Sequence, residues 1–254
     1  MTAATVATAT TFAAAPTAAD PMVAPDIVHV WLIHEKLPSP AIEELFTMLD
    51  EEEQRRAKAF TEPEDRRRFI LAHGAVRCVV AEQLGAPAKD LRWRRGRHGK
   101  PELTGAWTGV QANLSHSEGL SMVAVTGSRR VGADVQRLAP EQGAAAMANR
   151  YFPAEEARFV RAARGKHNQA ARFARLWARK EALVKAAGGR LTQGLPVSVQ
   201  GSGGVVRDYP DKAAPGTYRI TDVPAPHGFR AAVALSGDQD YMLIQSWWNW
   251  TGTA

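Results

Sequence analysis

This 254-residue sequence predicts an α+β fold, on three observations. Short β-branched and aromatic runs alternate with long stretches of helical periodicity. Two of those stretches share one apolar pattern, and they superimpose without a gap at a shift of 104 residues. The superposition pairs Arg68-Phe69 with Arg172-Phe173, Val79 with Leu183, Val80 with Val184 and Gly85 with Gly189. Two similar α+β lobes with a shared, ligand-sized cleft are one reading of the repeat. Chance agreement between two amphipathic helices is the other.

Along the chain, Met1 to Pro25 is almost all Ala, Thr, Val and Pro with Asp20 as its one charge, which reads as a disordered tail. The first basic residue is Lys36, so the start lacks the basic region of a secretory signal, and a cytoplasmic protein is expected. After Asp26, IVHVWLI opens the first sheet. Ile42, Leu45, Phe46 and Leu49 then recur at helical spacing. A break near Leu49 follows, with a second helix running from acidic Asp50–Glu53 to basic Arg55, Arg56 and Lys58, as its dipole favours. A longer helix is expected from about Glu64 to Leu84, stopped by Gly85 and Pro87.

A basic loop, LRWRRGRHGKPEL, leads to a strand from Val110 to Leu114. Met122 to Thr126 and Val131 to Gln136, separated by Gly127 to Arg130, read as a hairpin. Asn168 to Ala187 is the second long helix, ended by Gly188-Gly189. Closing strands are expected around Val197 to Gln200, Tyr218 to Ile220, Arg230 to Leu235 and Tyr241 to Trp247.

Composition excludes several classes. At 45% hydrophobic and 23% charged residues the chain is globular in type, and it has no apolar run near the ~18 residues of a membrane helix. Cys78 is the only cysteine, which excludes an intrachain disulfide and a cysteine-rich zinc site and suits a reducing compartment. The net charge of +6 favours an anionic partner: nucleic acid, anionic lipid, a phosphorylated ligand or an acidic protein.

Asp134 and Gln136, two apart on a strand, leave one face of the sheet, and Glu181 and Lys185, four apart on a helix, share a face. Mg²⁺ needs only one or two carboxylates when phosphates and water complete its shell, so Asp134 with Glu181 can form a site, and a lysine beside it can neutralise a departing phosphate. Judged by spacing alone, the stronger reading is an exposed Glu181–Lys185 ion pair with Asp134 a solvated strand residue. Arg92 to Lys100 crowds basic residues around Trp93 and two glycines, a composition for phosphate or nucleic acid, or for a merely solvated loop. NLSHS, Asn113 to Ser117, offers hydroxyls, an amide and an imidazole; GxSxG, Walker A and dinucleotide fingerprints are absent.

Taken in order, GKPEL at Gly99–Leu103, NLSHS at Asn113–Ser117, VGADVQ at Val131–Gln136 and WARKEALVKAAGGRL at Trp177–Leu191 resemble the 4'-phosphopantetheinyl transferase family, in its larger, surfactin-type branch. The resemblance runs from about Asp26 to Trp247. It implies a pseudodimer of two α+β lobes, 26–125 and 126–248, with the active site in the cleft between them. It also implies transfer of the phosphopantetheine arm of coenzyme A, the co-substrate, to a serine of an acidic apo acyl or peptidyl carrier protein. 3',5'-ADP leaves and Mg²⁺ is required.

Carried onto this chain, the resemblance makes Asp134 and Glu181 the metal ligands and Lys185 the partner of the diphosphate. Glu181 becomes the base, directly or through water. Arg95, Gly99, Lys100, Ser115 and His116 align with the loops that hold the adenylate and its 3'-phosphate, and Arg56, with Arg68 as a second candidate, falls at a phosphate-binding position. Where many members have Asp-x-Glu, this chain has Asp134-Val135-Gln136, so Gln136 is expected to reach the metal through water. A monomer that binds neither nucleic acid nor membrane is implied. A coenzyme A-binding pseudoenzyme is the alternative that Gln136 suggests. A nucleic-acid-binding protein explains the charge but not Asp134, Glu181 or the order of the motifs.

Overall fold

The computed structural model describes residues 6–7, 23–96, 99–138, 143–210 and 216–250. Most of the alanine- and threonine-rich tail, Arg97, His98 and the last four residues lie outside them. In chain order, β1 (Val6–Ala7) and β2 (Ile27–His34) precede α1 (Ser39–Met48), α2 (Glu51–Ala59) and α3 (Pro63–Leu84). Then come β3 (Trp93–Arg95), β4 (Pro101–Leu103), β5 (Gln111–Ser117), β6 (Leu120–Thr126) and β7 (Val131–Arg137). The second half adds α4 (Ala144–Tyr151), α5 (Ala154–Arg161), α6 (Lys166–Ala187), α7 (Leu191–Gly194), β8 (Val205–Tyr209), β9 (Gly216–Val223), β10 (Phe229–Ser236) and β11 (Met242–Trp248).

The strands form a five-stranded sheet, β1-β11-β2-β6-β5, a four-stranded sheet, β7-β10-β9-β8, and the small hairpin β3-β4. One plan is used twice. A first strand, two short helices and a 22-residue helix are followed by antiparallel strands that return beside the first, so that β2-β6-β5 corresponds to β7-β10-β9. Both long helices end in a left-handed glycine, Gly85 at φ 59° and Gly188 at φ 64°, whose freedom at positive φ suits a helix stop. Gly188 stands 103 positions after Gly85, so the true offset is one less than the side-chain pattern suggested.

The corrected offset exposes a repeated ion pair. In the first lobe Arg77, 1% exposed, donates from Nε to Glu53 Oε2 at 2.6 Å and also bonds Asp50. The equivalents 103 positions later are Lys180 and Glu156, both fully buried, with Nζ 2.7 Å from Oε2. Each cation also binds main-chain carbonyls after its helix: Ala88 and Leu91 for Arg77, Leu195 and Val197 for Lys180. Asp50 and Glu53 cap α2 reciprocally, so the anchor of α3 is also the start of α2.

Each lobe buries one sheet face under its long helix, Leu45, Leu71 and Val79 in the first, Phe173, Leu176 and Leu183 in the second. The opposite faces meet between the lobes, where Val30, Leu32 and Met122 pack on Val131, Val135 and Val233. Strands covered on both sides read as continuous apolar runs, which explains IVHVWLI and the complete burial of β6.

Several expectations need correction. β6 and β7 do not form a hairpin: β6 pairs with β2 and β5, β7 pairs with β10, and Gly127–Arg130 carries the chain from one sheet to the other. Val197–Gln200 is a loop, not a strand; its carbonyls serve Lys180, Arg179 and Arg207. The basic loop contains the β3-β4 hairpin. The lobe expected to span 126–248 loses its last strand to the first lobe, because β11 lies parallel to β2 with Met242 opposite Ile27. From the tail expected to be disordered, Val6–Ala7 lies parallel to β11.

Candidate active site

The site forms where α6 crosses β7. Gly132 makes the crossing close: a Cβ there would stand 2.1 Å from the Ala182 carbonyl oxygen and 2.2 Å from the Ala186 nitrogen. With Ala182 and Ala186 as the small residues opposite, strand and helix backbones touch, and side chains just beyond can meet. Asp134 shares the Gly132 face of β7 by strand alternation. Lys185 reaches it, Nζ 2.6 Å from Oδ1.

Ser115 of β5 completes this cluster from the first lobe. Its hydroxyl donates to Asp134 Oδ1 at 2.8 Å and accepts from Lys185 Nζ at 3.1 Å and from the Val135 N–H at 3.3 Å, which uses its full hydrogen-bonding capacity. Asp134 is 5% exposed, and its Oδ2 is buried without a hydrogen-bond partner. Burial pushes the Asp134 carboxyl up from the ordinary carboxylate range, against the pull of Lys185 and Ser115. Glu181, one turn before Lys185, is partly buried. Its carboxyl is likewise pushed up by burial, with the Asp134 charge adding to the rise and Lys185 opposing it, so the two carboxylates sense each other across 47 residues of sequence.

An unpartnered oxygen on a buried carboxylate, a second carboxylate coupled to it and an adjacent lysine suit a hard cation with a phosphate-bearing ligand. Among the described residues no group of three or more Asp, Glu, His or Cys is arranged to hold a metal, so water and ligand oxygens must supply most of an octahedral shell. Gln136 follows Asp134 on the same face, partly buried, and donates from Nε2 to its neighbour's carbonyl, Arg137 O, at 3.0 Å.

A cavity of about 190 Å³ adjoins the cluster, lined by Gly99, Lys100 and Asn113 of the first lobe and by Val184, Lys185, Gly188 and Gly189 of the second. Lys100 crosses between the lobes. Its Nζ donates to Val131 O at 2.9 Å and Ala186 O at 3.4 Å, and burial, aided by the Arg130 charge, pushes its pKa down to about 8. Gly99 and Gly188 both sit at positive φ beside the two lysines, and their own N–H groups are taken, by Gly96 O and Lys185 O, so the lysines carry the positive charge of this wall.

The other sequence candidates lie apart from this lining. Arg56 is exposed with its guanidinium 4.8 Å from the centre of the Phe69 ring, Arg68 faces Glu64 and Asp65, and Arg95 is 3.9 Å from Glu52. His116 is exposed on β5, near enough that its positive charge lowers the Asp134 carboxyl. A larger hollow of about 650 Å³, with Arg164, Arg172, Arg175 and Arg230 in its wall, runs along the first half of α6 and includes none of the candidate residues. Size therefore does not locate the chemistry.

Sequence spacing missed the groups that hold the site in place. Arg179, fully buried, binds Asp222 with Nε and Nη2 and the carbonyls of Val199, Gly201 and Gly203. With Lys180 it fastens α6 to the loop after α7. Three consecutive charges, Arg179-Lys180-Glu181, in a helix with little room for solvent were the available signal: two must be buried and paired, and one is left for the cleft.

Comparison with known proteins gives a family for each half of the chain. The family model described as 4'-phosphopantetheinyl transferase superfamily matches residues 130–222, and that described as 4'-phosphopantetheinyl transferase, N-terminal, matches residues 38–128. The chain is 34% identical over 165 residues to the 4'-phosphopantetheinyl transferase HetI of Nostoc sp. (strain PCC 7120 / SAG 25.82 / UTEX 2576), covering 64% of this chain and 69% of that protein. It is 26% identical over 197 residues to the 4'-phosphopantetheinyl transferase Sfp of Bacillus subtilis (strain 168), covering 76% and 85%.

Proposed function

The chain belongs to the 4'-phosphopantetheinyl transferase superfamily, and on that premise we propose a reaction centre for it built from Asp134, Glu181 and Lys185. Its reaction is the transfer of phosphopantetheine from coenzyme A to carrier proteins. The observation that carries the residue assignment is the buried Asp134 carboxylate, with one oxygen bound to Lys185 and Ser115 and the other unpartnered.

In this reading Asp134 and Glu181 would hold Mg²⁺, and Gln136 would serve it through water. Bound there, the ion would supply positive charge to the diphosphate. The carrier serine oxygen forms a bond to the β-phosphorus of coenzyme A, and the bond from that phosphorus to the bridging oxygen breaks, releasing 3',5'-ADP. Glu181, directly or through water, accepts the serine proton. Lys185 faces the bridging oxygen and offsets the charge that grows as the bond breaks. Lys100, next to Gly99 in the cavity wall, holds the nucleotide phosphates, with Ser115 and His116 beside it.

The net charge of +6 supports an acidic carrier protein as the partner, drawn in by charge complementarity. Because both lobes that wall the cleft lie in one chain, a monomer suffices. Among the described residues no helix is long and apolar enough to cross a membrane. The test is incubation with coenzyme A, Mg²⁺ and a panel of apo carrier proteins, read by intact mass. A gain of one phosphopantetheine on a carrier is expected. Coenzyme A binding with no gain on any carrier, under conditions where a known transferase modifies them, would make this chain a binding protein instead.

A further inference from the structure

Three side chains on β5 bind three backbone N–H groups on β7 at one constant offset. Asn113 Oδ1 accepts from the Ala133 N–H at 2.8 Å, Ser115 Oγ from Val135 at 3.3 Å and Ser117 Oγ from Arg137 at 3.0 Å. Each acceptor stands 20 positions before its donor, so the strands run parallel and every second residue forms a rung. β5 ends one sheet and β7 ends the other, and β5 keeps its own backbone pairing with β6. The outward N–H groups of an edge strand are costly to bury unpaired, and here side-chain oxygens satisfy them. The same ladder brings Ser115 beside Asp134, where Lys185 Nζ bonds both.

We propose that this ladder fixes the register of β7 on β5, and that its outer rungs, Asn113 and Ser117, are positioning residues for the Asp134 carboxylate. Asp134 lies between the Ala133 and Val135 rungs, so the peptide that follows it and the one that joins Gly132 to Ala133 are both tied to the first lobe. Arg137 is held twice, by Ser117 through its N–H and by Glu118, 3.1 Å from its guanidinium. The lobes are thus registered at the point where the carboxylate must face a ligand. The inference rests on the reading of Asp134 as a metal ligand.

The test uses the full chain with Ser117→Ala, Ser117→Thr, Asn113→Ala and Asn113→Asp. Amide hydrogen exchange at Ala133 and Arg137 reads the ladder itself. Mn²⁺ affinity in the presence of coenzyme A, from the paramagnetic resonance of free Mn²⁺, reads its use. Ser117→Ala is expected to speed Arg137 exchange at least tenfold and to weaken Mn²⁺ about fivefold, and Ser117→Thr, which keeps the hydroxyl, to restore both. Asn113→Ala is expected to act likewise at Ala133, and Asn113→Asp, which keeps the acceptor, to restore the exchange protection. Unchanged exchange in the alanine variants, or faster exchange and lower melting temperature with unchanged Mn²⁺ affinity, would overturn the proposal. The ladder would then only join the lobes. Asp134→Asn separates the two ideas: if it binds Mn²⁺ as tightly as the parent, the ligand assignment fails, while the exchange data still decide whether the ladder sets the register.

Discussion

Lys180 Nζ stands 2.7 Å from Glu156 Oε2 with both side chains sealed from solvent, one residue before the carboxylate proposed as base. Burying one charge without the other is strongly unfavourable, whereas replacing both by apolar groups of similar size is often neutral. Lys180→Met alone should therefore cost about 3 to 5 kcal/mol in urea unfolding, while Lys180→Met with Glu156→Leu should recover most of it. Additive losses would mean the pair is not the source of the cost.

Glu181→Gln removes a ligand and a base together and should lower transfer at least a hundredfold, ~3 kcal/mol of transition-state stabilisation. Gln136→Glu adds an anion on the same strand face as Asp134 and should keep transfer while lowering the Mg²⁺ needed for half-maximal rate. Near-parental turnover of Glu181→Gln at saturating Mg²⁺ would remove Glu181 from the mechanism.

Lys185→Ala should act on kcat, because the charge it faces grows as the bridging bond breaks, whereas Lys100→Ala and His116→Ala should mainly raise KM for coenzyme A. Steady-state kinetics separate these outcomes. A change confined to KM in Lys185→Ala would make it a ground-state contact.

The lowered pKa of Lys100 gives stability a definite pH dependence. Between about 8 and 10.5 the unfolded chain retains a proton that the folded protein has released, so stability rises with pH across that window. Relative to Lys100→Met, the parent should gain about 2 to 3 kcal/mol over this range, at ~1.4 kcal/mol per pKa unit. Urea unfolding at pH 8, 9 and 10 measures the difference, and a flat difference would show that the ammonium is well solvated.

The parts of this structure written in local periodicity were readable in advance: the three helices of the first lobe, the second long helix, and the glycines that stop the long pair. The helices α4 and α5 were not, since they are short and carry little apolar periodicity. Nor could spacing distinguish a hairpin at 122–136 from two strands in different sheets, because the choice is made by β2 and β10, each about 100 residues away. In the site, Glu181 and Lys185 share a helix face and could be paired from spacing. Bringing Asp134 to them depends on the closeness allowed by Gly132, and only resemblance to a family anticipated it. The buried cations Arg77, Arg179 and Lys180 look like surface residues by type; only the packing around their partners shows otherwise.

β11 completes the first sheet with residues that follow those they pair with by more than 200 positions, Met242 lying against Ile27. During synthesis on a ribosome the first lobe must wait with one side of β2 uncovered while the whole second lobe is made. An open strand is a template for wrong pairing, and so distant a closure is slow. Neither lobe can then be cut out intact, and β11 acts as a clasp that closes the first sheet only after the whole second lobe has emerged.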